Sequence, residues 1–474
     1  MQKQSRGSFT GSLGFVLATA GSAIGLGNLW RFPYLAAKDG GGLFLLIYLV
    51  LVLTFGFALM AAEIAIGRKT GQGPLQAYGK MHKRFGFMGW LATIVPIIIF
   101  PYYCVIGGWI VQYSFTYLTG GASHIYEMGA ENFFSGFITG SWEPIVCLLV
   151  FMGAATLIVL CGVEKGIEKA SKIMLPILFV LIIGIAIFSM TLSHTDENGV
   201  TRTSLDGLLI YLVPNFEGLT LSKFISILLD AVGQLFYSLS VAMGIMIAYG
   251  SYAKKEDNLL SSINQIELFD TGVALLAGLI IIPTVFVYQG HEGLAASGPS
   301  LMFVSLPAVF EQMGALGHVI GALFFILVFF AALTSAISLM EAVISGIIDR
   351  YHISRPKAVG LCFLLSLSIG VVVCLGYNLL YVELPLPNGT VGQILDVLDY
   401  LTNNLMLPVT ALLTCVLVGW VCKPKSVLEE LKLGTSGKKF EREGLFCVMI
   451  KYVAPLLLIV ILLQAFNVFS FLNA

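Results

Sequence analysis

Gly21-Ser22-Ala23-Ile24-Gly25-Leu26-Gly27-Asn28 interrupts an otherwise apolar run over residues 11–37. A membrane helix needs about 20 mostly apolar residues, so the run is long enough to cross. It is too long for a signal-peptide core and reads as a retained span. Each of its three alternating glycines weakens a helix by about 1 kcal/mol relative to alanine, and Asn28 adds a polar side chain at membrane depth. Glycine also serves close helix packing in membranes, and packing accounts for Gly25 taken alone. A second run has a matching interruption, Phe236-Tyr237-Ser238-Leu239-Ser240-Val241-Ala242-Met243-Gly244. Two interrupted spans, five apart and at corresponding places, predict an inverted repeat with its binding site at the breaks. Unwound backbone exposes N–H and C=O groups, which a membrane tolerates only beside a cavity or ligand. Free carbonyls suit Na⁺, and helix N-termini suit a carboxylate.

The composition agrees with a membrane chain. Of 474 residues, 57% are hydrophobic and 11% charged, against about 25% charged in soluble domains. The fold expected is all-α and polytopic, with eleven spans near 11–37, 41–67, 88–119, 144–161, 170–192, 222–252, 265–288, 317–349, 357–376, 393–421 and 446–470. Lys and Arg gather in the loops of one side, leaving Arg31, Lys38, Arg202 and Lys223 on the other. The positive-inside rule then puts the N-terminus in the cytoplasm and, with eleven spans, the C-terminus outside, in a plasma (inner) membrane. The expected division is a cytoplasmic N-terminus (1–10), a first five-span repeat (11–192), an extracellular loop (193–221) and a second repeat (222–421). A cytoplasmic loop (422–445) and the eleventh span with its external tail (446–474) follow. The external stretch 289–316 fits either a re-entrant cap or an ordinary surface loop.

Other classes lack their marks. The net charge of −1 gives no field for nucleic acid. The eight cysteines include no CxxC pair and avoid the long external loops, so neither a thiolate metal site nor a disulfide framework is expected. Residues 73–80 have the wrong spacing for a phosphate-binding loop, and His291-Glu292 lacks the second histidine of HExxH. The chain is not expected to be an enzyme, and ion gradients are the remaining fuel.

Gly25-Leu26-Gly27-Asn28-Leu29-Trp30-Arg31-Phe32-Pro33-Tyr34 with Gly40-Gly41-Gly42 resembles the first-span signature of the neurotransmitter:sodium symporters. Residues 233–240 and Phe329-Phe330-Ala331-Ala332-Leu333-Thr334-Ser335 continue the match. The likeness is to the bacterial branch that carries hydrophobic amino acids. It implies two co-transported Na⁺ ions and a functional monomer. One Na⁺ site would use Ala23, Asn28, Ser238 and the substrate carboxylate; the other would use Gly21, Ile24, Ala331, Thr334 and Ser335. For Thr334 and Ser335 the alternative is a hydroxyl bonded back to its own helix. The family's asparagine on the seventh span is missing: a gapless match puts Phe269 there, with Asp270 adjacent. An intramembrane carboxylate is a functional candidate by default. Asp270 would complete the first site and supply the charge that chloride brings in some relatives, which predicts chloride independence. Glu267 competes for that role.

Relatives that carry biogenic amines have an aspartate where this chain has Gly25, so the resemblance implies a substrate with its own carboxylate. That carboxylate would meet Tyr103 and the backbone near Gly25 and Gly27, and the amine would meet Ser240 and main-chain carbonyls. The implied side-chain pocket comprises Ile99, Tyr237, Met243 and Leu339, with Ser22 and Ala242 leaving room. It has no charge, which points to neutral hydrophobic L-amino acids such as leucine or tryptophan. Arg31 and Asp399 would pair as the outer gate with Tyr237 as a lid, and Glu63 would brace the broken sixth helix. Pro176, ten residues after Gly166, suggests local unwinding of the fifth span. A sensor that binds the same amino acids without transporting them has the same binding residues.

Overall fold

A lipid interior offers backbone groups no partners, so apolar runs close their hydrogen bonds internally as helices. The computed structural model describes residues 7–196, 199–435 and 440–468. Among the described residues nine helices are individually long and apolar enough to cross a membrane: Gly42–Thr70, Lys83–Leu118, Glu143–Leu160, Val163–Ser189, Leu259–Gly293, Ala315–Tyr351, Arg355–Leu375, Ile394–Val421 and Glu443–Ala465. The molecule is an all-α polytopic membrane protein. Its only sheets among these residues are two-stranded hairpins.

Both expected breaks are present. The first span is a bent pair, Ser12–Ala23 and Gly27–Lys38, turned by 53°. Ile24 is extended there, with φ −71° and ψ 105°. The sixth consists of Leu221–Leu239 and Ile245–Gly250, joined by residues 240–244. Ser240, Ala242 and Gly244 take φ of 52°, 65° and 75°. Left-handed backbone is unfavourable for the two non-glycine residues, and side chains hold it in place. Ser240 Oγ donates to Ser22 O at 2.8 Å, and Ala242 N–H donates to Glu63 Oε1 at 2.9 Å. The inner half is too short to cross alone, and the outer half, which carries Lys223 and Asp230, is not among the helices that are apolar enough. Length and apolarity therefore give ten crossings, counting the bent first pair, and the eleventh depends on treating 222–252 as one discontinuous span.

Several boundaries differ from the sequence expectation. The third, seventh and eighth helices, of 36, 35 and 37 residues, are longer than expected, and the seventh is kinked at Gly290, where φ is 65°. Loop 193–221 holds a hairpin (Ser193–Thr195 with Thr201–Thr203) and the helix Ser204–Leu212. Loop 422–445 is docked: its helix Lys425–Leu431 packs on the second span, where buried Arg68 pairs with Glu430 at 2.9 Å. The fifth span is wound throughout 166–176, as a π-helical turn Val163–Glu168 leading straight into Lys169–Ser189. Thus no unwinding appears at Pro176. The first six residues and the last six, parts of the expected termini, lie outside the described residues.

On the side assigned to the cytoplasm two ionic ties lock helices together. Thr10 N–H donates to buried Glu168 at 2.9 Å, and Lys172 reaches the same carboxylate at 2.6 Å. Glu341, fully buried on the eighth span, is ion-paired with Arg355 and accepts from Tyr252 OH at 2.6 Å.

Candidate functional site

The two breaks face each other across a cavity of about 380 Å³. Of the residues proposed from sequence for the substrate, Ser22, Gly25, Gly27, Ile99, Tyr103, Tyr237, Ser240, Met243 and Leu339 line it. Ala23 and Ser238 stand behind its wall, fully or nearly fully buried. Gly25 leaves space that a side chain would close: a Cβ there would lie 2.7 Å from Ser335 Oγ and 3.5 Å from Tyr103 OH. The buried Tyr103 hydroxyl has no hydrogen-bond partner in the protein, so the cavity holds a donor ready for an oxygen ligand.

Asn28, Ser238 and Asp270 form a cluster with no solvent exposure. Ser238 Oγ donates to Asp270 at 2.7 and 2.8 Å, its two oxygens being about equidistant. Asn28 Nδ2 donates to Asp270 Oδ1 at 2.7 Å and lies 3.0 Å from Ser238 Oγ, while its amide oxygen accepts from Gly25 N–H at 3.1 Å. The alternatives on this helix point elsewhere. Phe269 packs against Phe179, with ring centroids 5.4 Å apart, and Glu267 pairs with Arg442 at 3.2 Å. The gapless match therefore places the position one residue early, and Asp270 is the residue that enters the break.

The second cluster joins the first and eighth spans. Ser335 Oγ lies 3.1 Å from Ser22 O, 3.2 Å from Ile24 O and 3.3 Å from Ala331 O. Thr334 Oγ1 bonds back to Phe330 O and Ala331 O at 3.0 and 3.1 Å, the alternative its type allowed. Gly21 faces Thr334, whose Cβ would lie 3.4 Å from a Cβ built there, an ordinary packing distance. Oxygens of Ile24, Ala331, Thr334 and Ser335 thus converge beside Gly21, a donor set suited to a hard cation.

At the outer end, the Arg31 guanidinium lies 4.5 Å from the Tyr237 ring centroid, and Tyr237 OH donates to Asp399 at 2.5 Å. Arg31 makes no ion pair with Asp399, so the two residues expected to pair are joined only through Tyr237. Asn403, which the sequence reading missed, donates to Asp399 at 2.5 Å and to Tyr237 OH at 2.7 Å. It lies one helical turn after Asp399, and that spacing was the available signal. Gln234 was also missed, although it falls inside the quoted 233–240 motif. Its Nε2 donates to Gly27 O at 2.9 Å, a carbonyl that also accepts from Phe32 N–H, and so ties the sixth span to the first just past the break. Ser297, Gly298 and Pro299 reach the cavity from above, so the 289–316 stretch caps the site.

Comparison with known proteins agrees with this geometry. The family model for the sodium:neurotransmitter symporter family matches residues 6–127 and 122–473. A sodium-dependent transporter of Bacillus subtilis, YhdH, is 34% identical over 480 residues, covering 99% of this chain and all of the relative. The human sodium- and chloride-dependent GABA transporter 2 is 26% identical, over 74% of this chain and 64% of its own length. Among solved structures, MhsT in complex with L-phenylalanine superposes with a TM-score of 0.84 at 32% identity, covering 98% of this chain and all of the other.

Proposed function

The chain belongs to the sodium:neurotransmitter symporter family, and on that premise we propose that it imports neutral hydrophobic L-amino acids with two Na⁺ ions, independently of chloride. The observation that carries this reading is Asp270, a buried carboxylate set against Asn28 and Ser238 at the mouth of both breaks. A fixed negative charge there gives a Na⁺ ion its counter-charge without an added anion. A cation at this cluster favours oxygens, so the Asn28 amide turns its oxygen inward beside Ser238, Asp270 and the Ala23 carbonyl. That rotation frees Gly25 N–H for the substrate carboxylate, which Tyr103 also meets. The second ion takes oxygens from Gly21, Ile24, Ala331, Thr334 and Ser335.

The cavity supports the substrate class. Its side-chain end is formed by Ile99, Met243 and Leu339, and a charged side chain placed there would lose its hydration without a partner. MhsT, similar over its full length, was solved with L-phenylalanine, and an aromatic amino acid suits this cavity as well. For a tenfold Na⁺ gradient each ion supplies roughly 1.4 kcal/mol. A potential of 100 mV adds about 2.3 kcal/mol per charge. Two ions together supply on the order of 7 kcal/mol, enough for roughly 10⁵-fold accumulation of a zwitterion.

The test is uptake of labelled leucine and tryptophan into proteoliposomes under inward Na⁺ or K⁺ gradients, with and without chloride. Uptake that requires Na⁺ and ignores chloride is expected. Sodium-dependent binding without uptake would mark a sensor instead. A response to neither ion would remove both cation assignments. In the same assay Tyr103→Phe is expected to weaken amino-acid affinity roughly 10-fold or more, the worth of one hydrogen bond to a charged group. It should change thermal stability little, because among the described residues this hydroxyl has only the weakly placed Ser335 and Leu26 backbone near it and makes no well-formed hydrogen bond. An unchanged affinity would place the substrate carboxylate elsewhere.

A further inference from the structure

Lys38 and Asp39 stand where the outer half of the first span ends, just before the glycine turn at 40–42. Asp230 faces them from the helix Leu221–Leu239, the outer half of the sixth. Lys38 Nζ lies 2.8 Å from Asp230 Oδ2 but 4.0 Å from Asp39 Oδ1, so the lysine is committed to Asp230. Asp39 is only 5% exposed, and its Oδ2 is buried with no hydrogen-bond partner. Both carboxylates lie within 4.0 Å of the same Lys38 ammonium, which sets Asp230 beside Asp39. Two carboxylates side by side, one holding the lysine and the other with an orphan oxygen, are short of one donor. Like charges this close disfavour double ionisation, and one shared proton relieves both defects.

The turn keeps Asp39 from escaping into water. Gly40 and Gly41 take φ of 86° and 58°, and a Cβ on Gly41 would lie 2.1 Å from Ile210 O. Asn215 N–H donates to Gly40 O at 3.1 Å and pins the turn to the external loop. The other titratable groups acting on this pair are Lys223, on the helix of Asp230, and Tyr34, one turn before Lys38. Burial first, and then the Asp230 charge, push the Asp39 carboxyl up to about 7, against the opposing pull of Lys38 and Lys223.

We propose that Asp39 and Asp230 form an external proton-binding site that, when occupied, clasps the outer halves of the first and sixth spans together. These two helices also carry the first cation cluster and the gate: Asn28 and Arg31 on one, Ser238 and Tyr237 on the other. Drawing their outer ends together favours the arrangement in which Asn28 and Ser238 meet Asp270. The sign follows from linkage. A carboxyl whose folded-state affinity for protons is raised stabilises the clasped form on the acid side of neutrality, and that contribution is lost as pH rises through about 7. The proton here is a modulator from the external medium and not a fuel, so the site goes beyond the transport reading.

The experiment uses the purified full chain with two measurements at pH 6 and pH 8: the thermal unfolding midpoint in detergent, and the Na⁺ concentration that half-activates leucine binding. The wild type is expected to unfold at higher temperature at pH 6. Its apparent Na⁺ affinity should be about threefold tighter there, the size of one modest hydrogen bond. Asp39→Asn presents a permanent N–H donor to Asp230, so both measurements should become flat at the acid level. Asp230→Asn removes the repelling charge and should move the inflection down toward the ordinary carboxylate range. A wild type flat in both measurements, or an Asp39→Asn variant that keeps the wild-type pH dependence, would overturn the proposal. So would a midpoint that responds to pH while Na⁺ affinity does not. A chain without any Na⁺ response would fail the transport reading separately, and the unfolding midpoint alone would then decide whether the proton site exists.

Discussion

Replacing Asp270 by alanine is expected to lower Na⁺-dependent leucine uptake at least 100-fold, with protein yield and fold retained. The carboxylate accepts from Asn28 Nδ2 at 2.7 Å and from Ser238 Oγ at 2.7 Å, all in a cluster without solvent exposure. Alanine leaves the buried Ser238 hydroxyl without its acceptor, at a cost of about 1–3 kcal/mol, takes one of three acceptors from Asn28 Nδ2, and deletes the negative charge proposed to hold the first Na⁺. Loss of only one factor of ten corresponds to about 1.4 kcal/mol, so the combined effect reaches 100-fold readily. Asp270→Asn separates shape from charge. It keeps a side chain of the same size that still accepts from Ser238, while the cation loses its fixed counter-charge. Uptake by Asp270→Asn should be weak in gluconate and rise with added chloride. Equal uptake by this variant and the wild type in the absence of chloride would show that the Asp270 charge is not used.

The second large effect concerns stability on the inner side. Arg355→Met is expected to destabilise the folded protein by about 3–5 kcal/mol, the cost of breaking a buried ion pair by removing one partner. Glu341 has no exposure and no other cation against it. Arg355 supplies its charge and also donates from Nε to Val159 O at 2.8 Å. The double variant Arg355→Met with Glu341→Gln should recover most of the loss, because a neutral amide is far cheaper to leave in that site. Thermal unfolding in detergent measures both. A single variant as stable as the wild type would mean that water replaces the arginine, and the pair would then contribute nothing to the inner seal.

Much of the molecule was legible from residue types alone. Apolar runs long enough for a bilayer fold as helices, since no other open structure satisfies their backbone there. The two breaks were readable as well, because glycines and serines concentrate where a membrane helix has reason to avoid them. The family resemblance named residues from both breaks that line the cavity, among them Gly25, Tyr103, Tyr237 and Ser240. The register on the seventh helix failed by one residue. Phe269 and Asp270 are adjacent in sequence, yet a helix turns successive residues by about 100°, so one faces Phe179 and the other Asn28 and Ser238. The gate was also only partly legible: Arg31 and Asp399 were named, but contact between them runs through Tyr237 and Asn403.

The sequence by itself determined that this chain spans a membrane, where its first and sixth helices break, and which oxygen-bearing side chains gather near the breaks. The spans and the breaks follow from local composition; the set of oxygen-bearing side chains was implied by the family resemblance of the motifs. Tertiary structure decided between Asp270 and Glu267, and it alone showed that Ser335 bridges to the first span while Thr334 bonds its own helix, and that Asp39 and Asp230 share Lys38. Those outcomes depend on the rotation and approach of helices far apart in the chain. Distances of a few tenths of an ångström between such helices are set by packing, and no spacing along one segment encodes them.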